Sequence, residues 1–164
     1  MLLGRKIIPV RLMVLGMLFA MLPDLDSITF RLGIAYGSPF GHRGAAHSVA
    51  AAVACAVLVL PLSATLGARP LLVFAFLAGA MISHGLLDAM TTAGKGVAFF
   101  WPFSNERIFF DFRPIEVSPV SVRRFLAPRG LKVLRSELLW VWLPVLTLTA
   151  IGWLLRRSLH TSAR

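Results

Sequence analysis

LLVFAFLAGAMISHGLLDAM, residues 71–90, is the stretch that decides the fold. It runs apolar from Leu71 to Ile82 and then places His84 and Asp88 in its last two turns. A transmembrane helix needs roughly 20 predominantly apolar residues, and this stretch supplies them. His84 and Asp88 stand at i and i+4, so on a helix they share one face about 6 Å apart at Cβ. With that spacing one helix offers two ligands to one metal ion. The plainer reading is a hydrogen-bonded pair at the end of a span. Ionisable groups inside a membrane segment are costly, however, and usually mark function.

Three more stretches flank this one. Ala45 to Leu66 carries no charge between Arg43 and Arg69. Leu138 to Leu155 carries none at all, with Trp140 and Trp142 near one end and Trp153 near the other, as interfacial aromatic belts predict. Ile7 to Leu22 is weaker, because Arg11 interrupts it. Basic residues followed by Leu12–Leu22 could start a signal peptide, but no small-x-small cleavage site follows, so we read a retained helix. The whole chain agrees. Its 164 residues are 57% hydrophobic and 15% charged, with a mean hydropathy of +0.79. That excludes a disordered chain and argues against an ordinary soluble domain. The expected fold is therefore all-α. It is a multi-pass helical membrane protein, a single domain over 1–164, with helices at about 7–22, 45–66, 71–90 and 138–155.

The small residues Ala75, Gly79 and Ser83 recur every fourth position, as do Ala46, Ala50 and Ala54. Such faces let membrane helices pack closely. Between the third and fourth helices lies a polar loop of about 47 residues, 91–137, holding eight of the 17 basic residues. Its alternation from Arg107 to Val117 predicts a short strand or hairpin. Its aromatic clusters argue for a folded segment covering the helix ends.

Successive spans alternate in direction. The end of the first helix, the start of the second, the end of the third and the long loop therefore face one side. Leu22-Pro23-Asp24-Leu25-Asp26 follows the first helix, where proline ends a helix or sets a turn. Gly41-His42-Arg43-Gly44-Ala45-Ala46-His47-Ser48 opens the second, with glycines that permit a tight backbone path. Three of four histidines and three of only seven acids thus converge on one membrane face. A single cysteine, Cys55, excludes an intrachain disulfide and a cysteine zinc site, so a metal here must use His, Asp and Glu. Mixed His and Asp ligands suit zinc and other first-row divalent ions. Six candidates exceed what one tetrahedral ion needs, so two ions sharing carboxylates are also compatible.

The ordered set resembles the YdjM-like family of bacterial inner-membrane metal-dependent hydrolases. The residues that carry the resemblance are Leu22-Pro23-Asp24-Leu25-Asp26, His42-Arg43-Gly44 with His47-Ser48, and Ser83-His84-Gly85-Leu86-Leu87-Asp88-Ala89-Met90-Thr91-Thr92. Phe100-Trp101-Pro102-Phe103 and Arg107-Ile108-Phe109-Phe110-Asp111-Phe112 extend it, so that it spans roughly residues 15 to 120. The resemblance implies a multi-pass inner-membrane protein with a divalent-metal site and hydrolase activity, comparable to zinc-dependent phospholipase C-like proteins. Two departures stand out. No apolar segment with a Thr-His motif precedes Ile7, so either the start is truncated or one ligand and one helix are lacking. Ala46 replaces the usual threonine before the second histidine.

The resulting expectation is a membrane-bound metal-dependent hydrolase of phosphoester or related esters. Asp24, Asp26, His42, His47, His84 and Asp88 would hold one or two ions, zinc first and manganese second. Arg43 would grip the anionic group, and Asp111 or Glu116 would serve as general base or support the metal ligands from behind. The alternative is a non-catalytic membrane metal-binding, scaffold or regulatory protein. The partners expected are the lipid bilayer and an anionic lipid or lipid-borne substrate. The formal charge of +10 reflects juxtamembrane basic residues, not nucleic-acid binding. Arg31, Arg43 and the eight basic loop residues on the site face outnumber Arg5, Lys6, Arg69, Arg156, Arg157 and Arg164 opposite. That places the site face in the cytoplasm.

Overall fold

The structure is a computed structural model describing residues 8–119 and 121–161. It is 65% helical, with no β-strand among the described residues. Four helical stretches are long and apolar enough to cross a membrane: Val10–Phe30, Val49–Leu66, Pro70–Ala89 and Pro128–Ser158. Ile7, with which the first helix was expected to begin, lies outside the described residues, as do Arg5, Lys6 and Arg164 of the charge count.

The first span is α1 (Val10–Met21) continued by a 3₁₀ segment, Leu22–Phe30. The α-helix ends at Met21, as expected beside Pro23. Pro23 sits at the start of the 3₁₀ segment, where a missing N–H costs least, and the chain tightens instead of turning away. Asp24 and Asp26 therefore ride on a continuing helix.

The second span starts later than Ala45. Ala45–His47 forms one 3₁₀ turn, Ser48 is extended, and α2 is Val49–Val59. Ser48 explains the break. Its Oγ accepts from the Ala51 backbone N–H at 3.0 Å and caps the new helix. His47 thus precedes the N-cap and does not belong to the first turn of the span. A 3₁₀ turn and the short α3 (Ser63–Leu66) finish this span. Gly67, at φ +70°, then reverses the chain into α4 (Pro70–Ala89), within a residue of the expected 71–90.

Helix α4 is the centre of the fold, packed between α1 and α2. Leu12, Ala52, Ala56, Val73, Leu77 and Met81 are buried in this core. Gly16 permits the closest approach, since a Cβ there would lie 2.3 Å from the Phe76 ring. The small-residue face does not make this contact. Ala75, Gly79 and Ser83 are exposed, because the ridge Val73–Leu77–Met81–Gly85 is the one turned inward. On α2 the buried alanines are 52 and 56, not 46, 50 and 54. Arg11, which weakened the first stretch, donates to the Thr65 carbonyl at 2.9 Å at the far end of the bundle.

The segment after α4 also departs from expectation. No hairpin spans Arg107–Val117; two isolated bridges, Val97 to Ile108 and Thr91 to Ile115, tie the loop back on itself and to the end of α4. Helix resumes well inside the expected loop, in α5 (Val122–Phe125) and α6 (Pro128–Glu137). A π-helical turn, Leu138–Trp142, joins α6 to α7 (Leu143–Thr161). The expected 138–155 helix is thus the middle of a longer one. Its most apolar window buries no residue against the rest of the chain.

Candidate metal centre

The His42–Arg43 turn is built by backbone crowding. A Cβ on Gly41 would lie 2.3 Å from the Ala35 carbonyl oxygen, and one on Gly44 2.2 Å from that of Pro39. Arg43 itself adopts φ +61°, the left-handed conformation that non-glycine residues rarely take. Anchors on both sides hold it there. Its backbone N–H donates to Asp26 Oδ2 at 3.1 Å. Its carbonyl accepts from the Ala98 N–H at 3.0 Å. Arg107 fixes the same turn from outside, donating to the carbonyls of Tyr36, Ser38 and His42.

The turn brings His47 against α4. His47 Nε2 lies 3.2 Å from Asp88 Oδ2 and 3.8 Å from Asp24 Oδ1. His84 Nε2 lies 3.4 Å from Asp24 Oδ1 and 3.6 Å from Asp88 Oδ2. The four ligand atoms all fall within 4.8 Å of one another. Bonds of about 2.0–2.1 Å to a tetrahedral zinc place its ligands roughly 3.3–3.4 Å apart, and the four separations bracket that value. His47 Nε2, His84 Nε2 and Asp88 Oδ2 are buried without an aligned hydrogen-bond partner among the described residues. Buried polar atoms are nearly always paired, so a cluster of lone-pair donors left unpaired around one point fits a cation.

A second group, Asp26, His42 and His47, lies behind the first. Here the spacing differs. His42 Nδ1 donates to Asp26 Oδ1 at 2.6 Å, closer than two ligands of one tetrahedral ion sit. Asp26 Oδ2 lies 3.0 Å from His47 Nδ1. This is the arrangement in which a carboxylate fixes the ring and tautomer of a ligating imidazole. His42 is held in turn against the rings of Phe30, Tyr36 and His47.

Arg43 is almost fully buried. Its Nη2 donates to Asp88 Oδ1 at 2.8 Å, and its Nη1 to Thr91 Oγ1 at 2.9 Å and the Ala93 carbonyl at 3.2 Å. One Asp88 oxygen is thereby committed to Arg43, while the other faces the histidines. The partners of its two Nη atoms are protein groups, while its Nε is buried without a hydrogen-bond partner among the described residues. Burial alone would push the His47 imidazole pKa down; Asp26 and Asp88 outweigh it and hold it above its ordinary value.

A cavity of about 580 Å³ opens beside this cluster. Asp24, His42, Arg43, His84 and Asp88 line it, together with Glu116 and Glu137. Asp111 is exposed and is not among its lining residues. Tyr36, Glu137, Val141 and Trp142 also line it and were missed in the sequence. Tyr36 is the chain's only tyrosine, and Glu137 is the acid that opens an uncharged run; both were available signals. Burial raises the Tyr36 pKa, so its hydroxyl remains protonated.

Fold and site together define a multi-pass helical membrane protein with a His/Asp cluster at one end of its spans. The sequence profile described as YdjM inner membrane protein matches residues 1–159, and the chain belongs to that family. It is 43% identical over 156 residues to the inner membrane protein YbcI of Escherichia coli (strain K12), covering 94% of this chain and 90% of that relative. No solved structure matches it. The family and the apolar helices support a multi-pass inner-membrane location.

Proposed function

We propose that this protein is a membrane-bound metal-dependent hydrolase of phosphoester or related ester bonds. The observation that carries the reading is the set of unpaired, buried lone-pair atoms of His47, His84 and Asp88 facing Asp24 at tetrahedral spacing. Asp24, His47, His84 and Asp88 hold one divalent ion, zinc before manganese. A bound ion of this kind supplies Lewis acidity and lowers the pKa of its water toward about 7. In this reading Asp26 and His42 orient His47 from behind, and Arg43 orients Asp88. Of the two carboxylates considered as proton acceptors, Glu116 has the better place, because it lines the cavity. The site face is cytoplasmic, on the balance of basic residues.

A second reading has one observation in its favour. Four protein ligands close a tetrahedral zinc, as in structural sites, whereas catalytic sites keep a position open. Asp24 decides between them. Its side chain is 58% exposed, against 0% for His47 and 15% for Asp88, and it lines the cavity, so it is the ligand that gives way. Purified protein loaded with zinc or manganese is tested on generic phosphodiesters beside His84→Ala. Cleavage by the wild type alone supports the enzyme. Metal retained without cleavage of any ester supports a structural ion.

A further inference from the structure

The basic residues of the 91–137 segment are not equivalent. Arg107 is committed to the carbonyls of Tyr36, Ser38 and His42. Arg113 holds its guanidinium 4.8 Å over the Phe109 ring. Five others, Arg123, Arg124, Arg129, Lys132 and Arg135, are exposed on α5 and α6. No acid lies between Glu116 and Glu137, and no ion pair among the described residues engages any of the five.

Helix α6 sorts its side chains into three flanks. Gly130, Val133 and Ser136 are buried, and the Ser136 hydroxyl accepts from the Glu116 N–H at 2.9 Å, which pins this flank to the loop. Arg129, Lys132 and Arg135 repeat the same spacing one position earlier, so they form a second flank to one side of the buried one. Leu131, Leu134 and Leu138 form the third on its other side, 72%, 50% and 50% exposed. An exposed apolar flank with an exposed cationic one belongs at a membrane–water boundary.

The place of α6 in the chain agrees. It continues through the π turn into the fourth span, whose uncharged run begins at Leu138, with Trp140 and Trp142 marking the interface. Arg135 and Lys132 stand within two turns of that run, about 9 Å along the axis. The headgroup layer is about 5–7 Å deep on each side of the hydrocarbon core, and long basic side chains reach back into it.

We propose that the Arg129, Lys132 and Arg135 flank of α6 binds the anionic phospholipid headgroups of the bilayer that the fourth span crosses. The guanidinium and ammonium groups donate to lipid phosphates, and Leu131 and Leu134 rest against the acyl chains of the same lipids. The apolar flank selects a lipid over a soluble phosphoester, which would leave those leucines in water. This surface is separate from the His/Asp cluster and does not depend on a bound metal.

The test titrates purified, delipidated full-length protein in detergent with phosphatidylglycerol or phosphatidylcholine of the same chains, and reads retention by native mass spectrometry. Each basic residue engaged is worth about fivefold in affinity. Phosphatidylglycerol should therefore be retained at least about 25-fold more tightly, and less so as salt is raised. Lys132→Gln with Arg135→Gln should lower its retention by about the same factor, with the melting temperature unchanged. Leu131→Ser should weaken both lipids alike. Equal retention of the two lipids by the wild type would overturn the proposal. So would an equal loss from Arg156→Gln with Arg157→Gln at the far end of the same helix, which would make the effect one of juxtamembrane charge in general. Binding of water-soluble glycerophosphoglycerol as tight as that of the lipid would overturn it too, by making the ligand a free phosphoester.

Discussion

Arg43 Nη2 donates to Asp88 Oδ1 at 2.8 Å, joining the turn before the second span to the end of the third. Both side chains are mostly buried, at 5% and 15% exposed. Removing one member of such a pair leaves an uncompensated charge, typically at a cost of about 3–5 kcal/mol. Arg43→Ala should therefore lower thermal stability strongly in a detergent melt and reduce bound metal. Arg43→Lys should recover only part of the stability, because an ammonium cannot reach Asp88, Thr91 and Ala93 with one planar fork.

Metal analysis of the purified protein should return about one ion per chain, from four ligands at tetrahedral spacing. His84→Ala and Asp88→Ala should lose it. Asp26→Asn should keep it with affinity lowered by about 10- to 100-fold, the usual cost of removing a carboxylate behind a ligating histidine. Loss of metal from Asp26→Asn as complete as from His84→Ala would make Asp26 a ligand.

The raised His47 pKa fixes the direction of the pH response. In metal-free protein the imidazolium between Asp26 and Asp88 stabilises the fold fully below its ordinary value of 6.5, and this is lost as pH rises through the raised value. Metal needs the neutral ring and so competes with that proton. The stabilisation added by zinc should grow as pH rises through this window. Its decline on acidification should begin above pH 6.5, as followed by melting temperature with and without zinc.

Gly94 and Gly79 make a matched pair. Gly94 has φ +106°, and a Cβ there would lie 2.8 Å from Arg43 Nη1 and 2.9 Å from the Tyr36 hydroxyl. Gly94→Ala should cost on the order of 2 kcal/mol and weaken metal binding. A Cβ on Gly79 meets nothing within 4 Å, so Gly79→Ala, inside α4, should be neutral or stabilising by up to about 1 kcal/mol. The two melts are directly comparable.

Topology gives the remaining test. With four spans, a reporter fused to the C-terminus should appear on the side opposite an accessibility tag placed in the 91–119 segment. Appearance on the same side would exclude the four-span arrangement.

Much of this was legible in the chain itself. Apolar runs of span length fix helices in a bilayer, because every backbone polar group must be satisfied within the segment. Alternating direction then assigns Asp24, Asp26, His47, His84 and Asp88 to one face without knowledge of packing. The i, i+4 pair of His84 and Asp88 was readable from spacing alone, as was the tight Gly41–Gly44 turn.

What the chain left open was decided by contacts between segments distant in sequence. Nothing local distinguishes Asp24 from Asp26, yet one faces His84 at 3.4 Å and the other the Nδ1 side of His47 at 3.0 Å. Nothing local ties Arg43 to Asp88, 45 residues away. The inward ridge of α4 was misread because small residues at i, i+4 look alike whether they meet lipid or protein. Glu137 opens an uncharged run in the sequence, and only the fold puts it on a cavity wall. The sequence determined which residues reach the membrane face. The tertiary structure decided which atoms meet there, because a site is set by angstrom-scale orientation that helical periodicity does not encode.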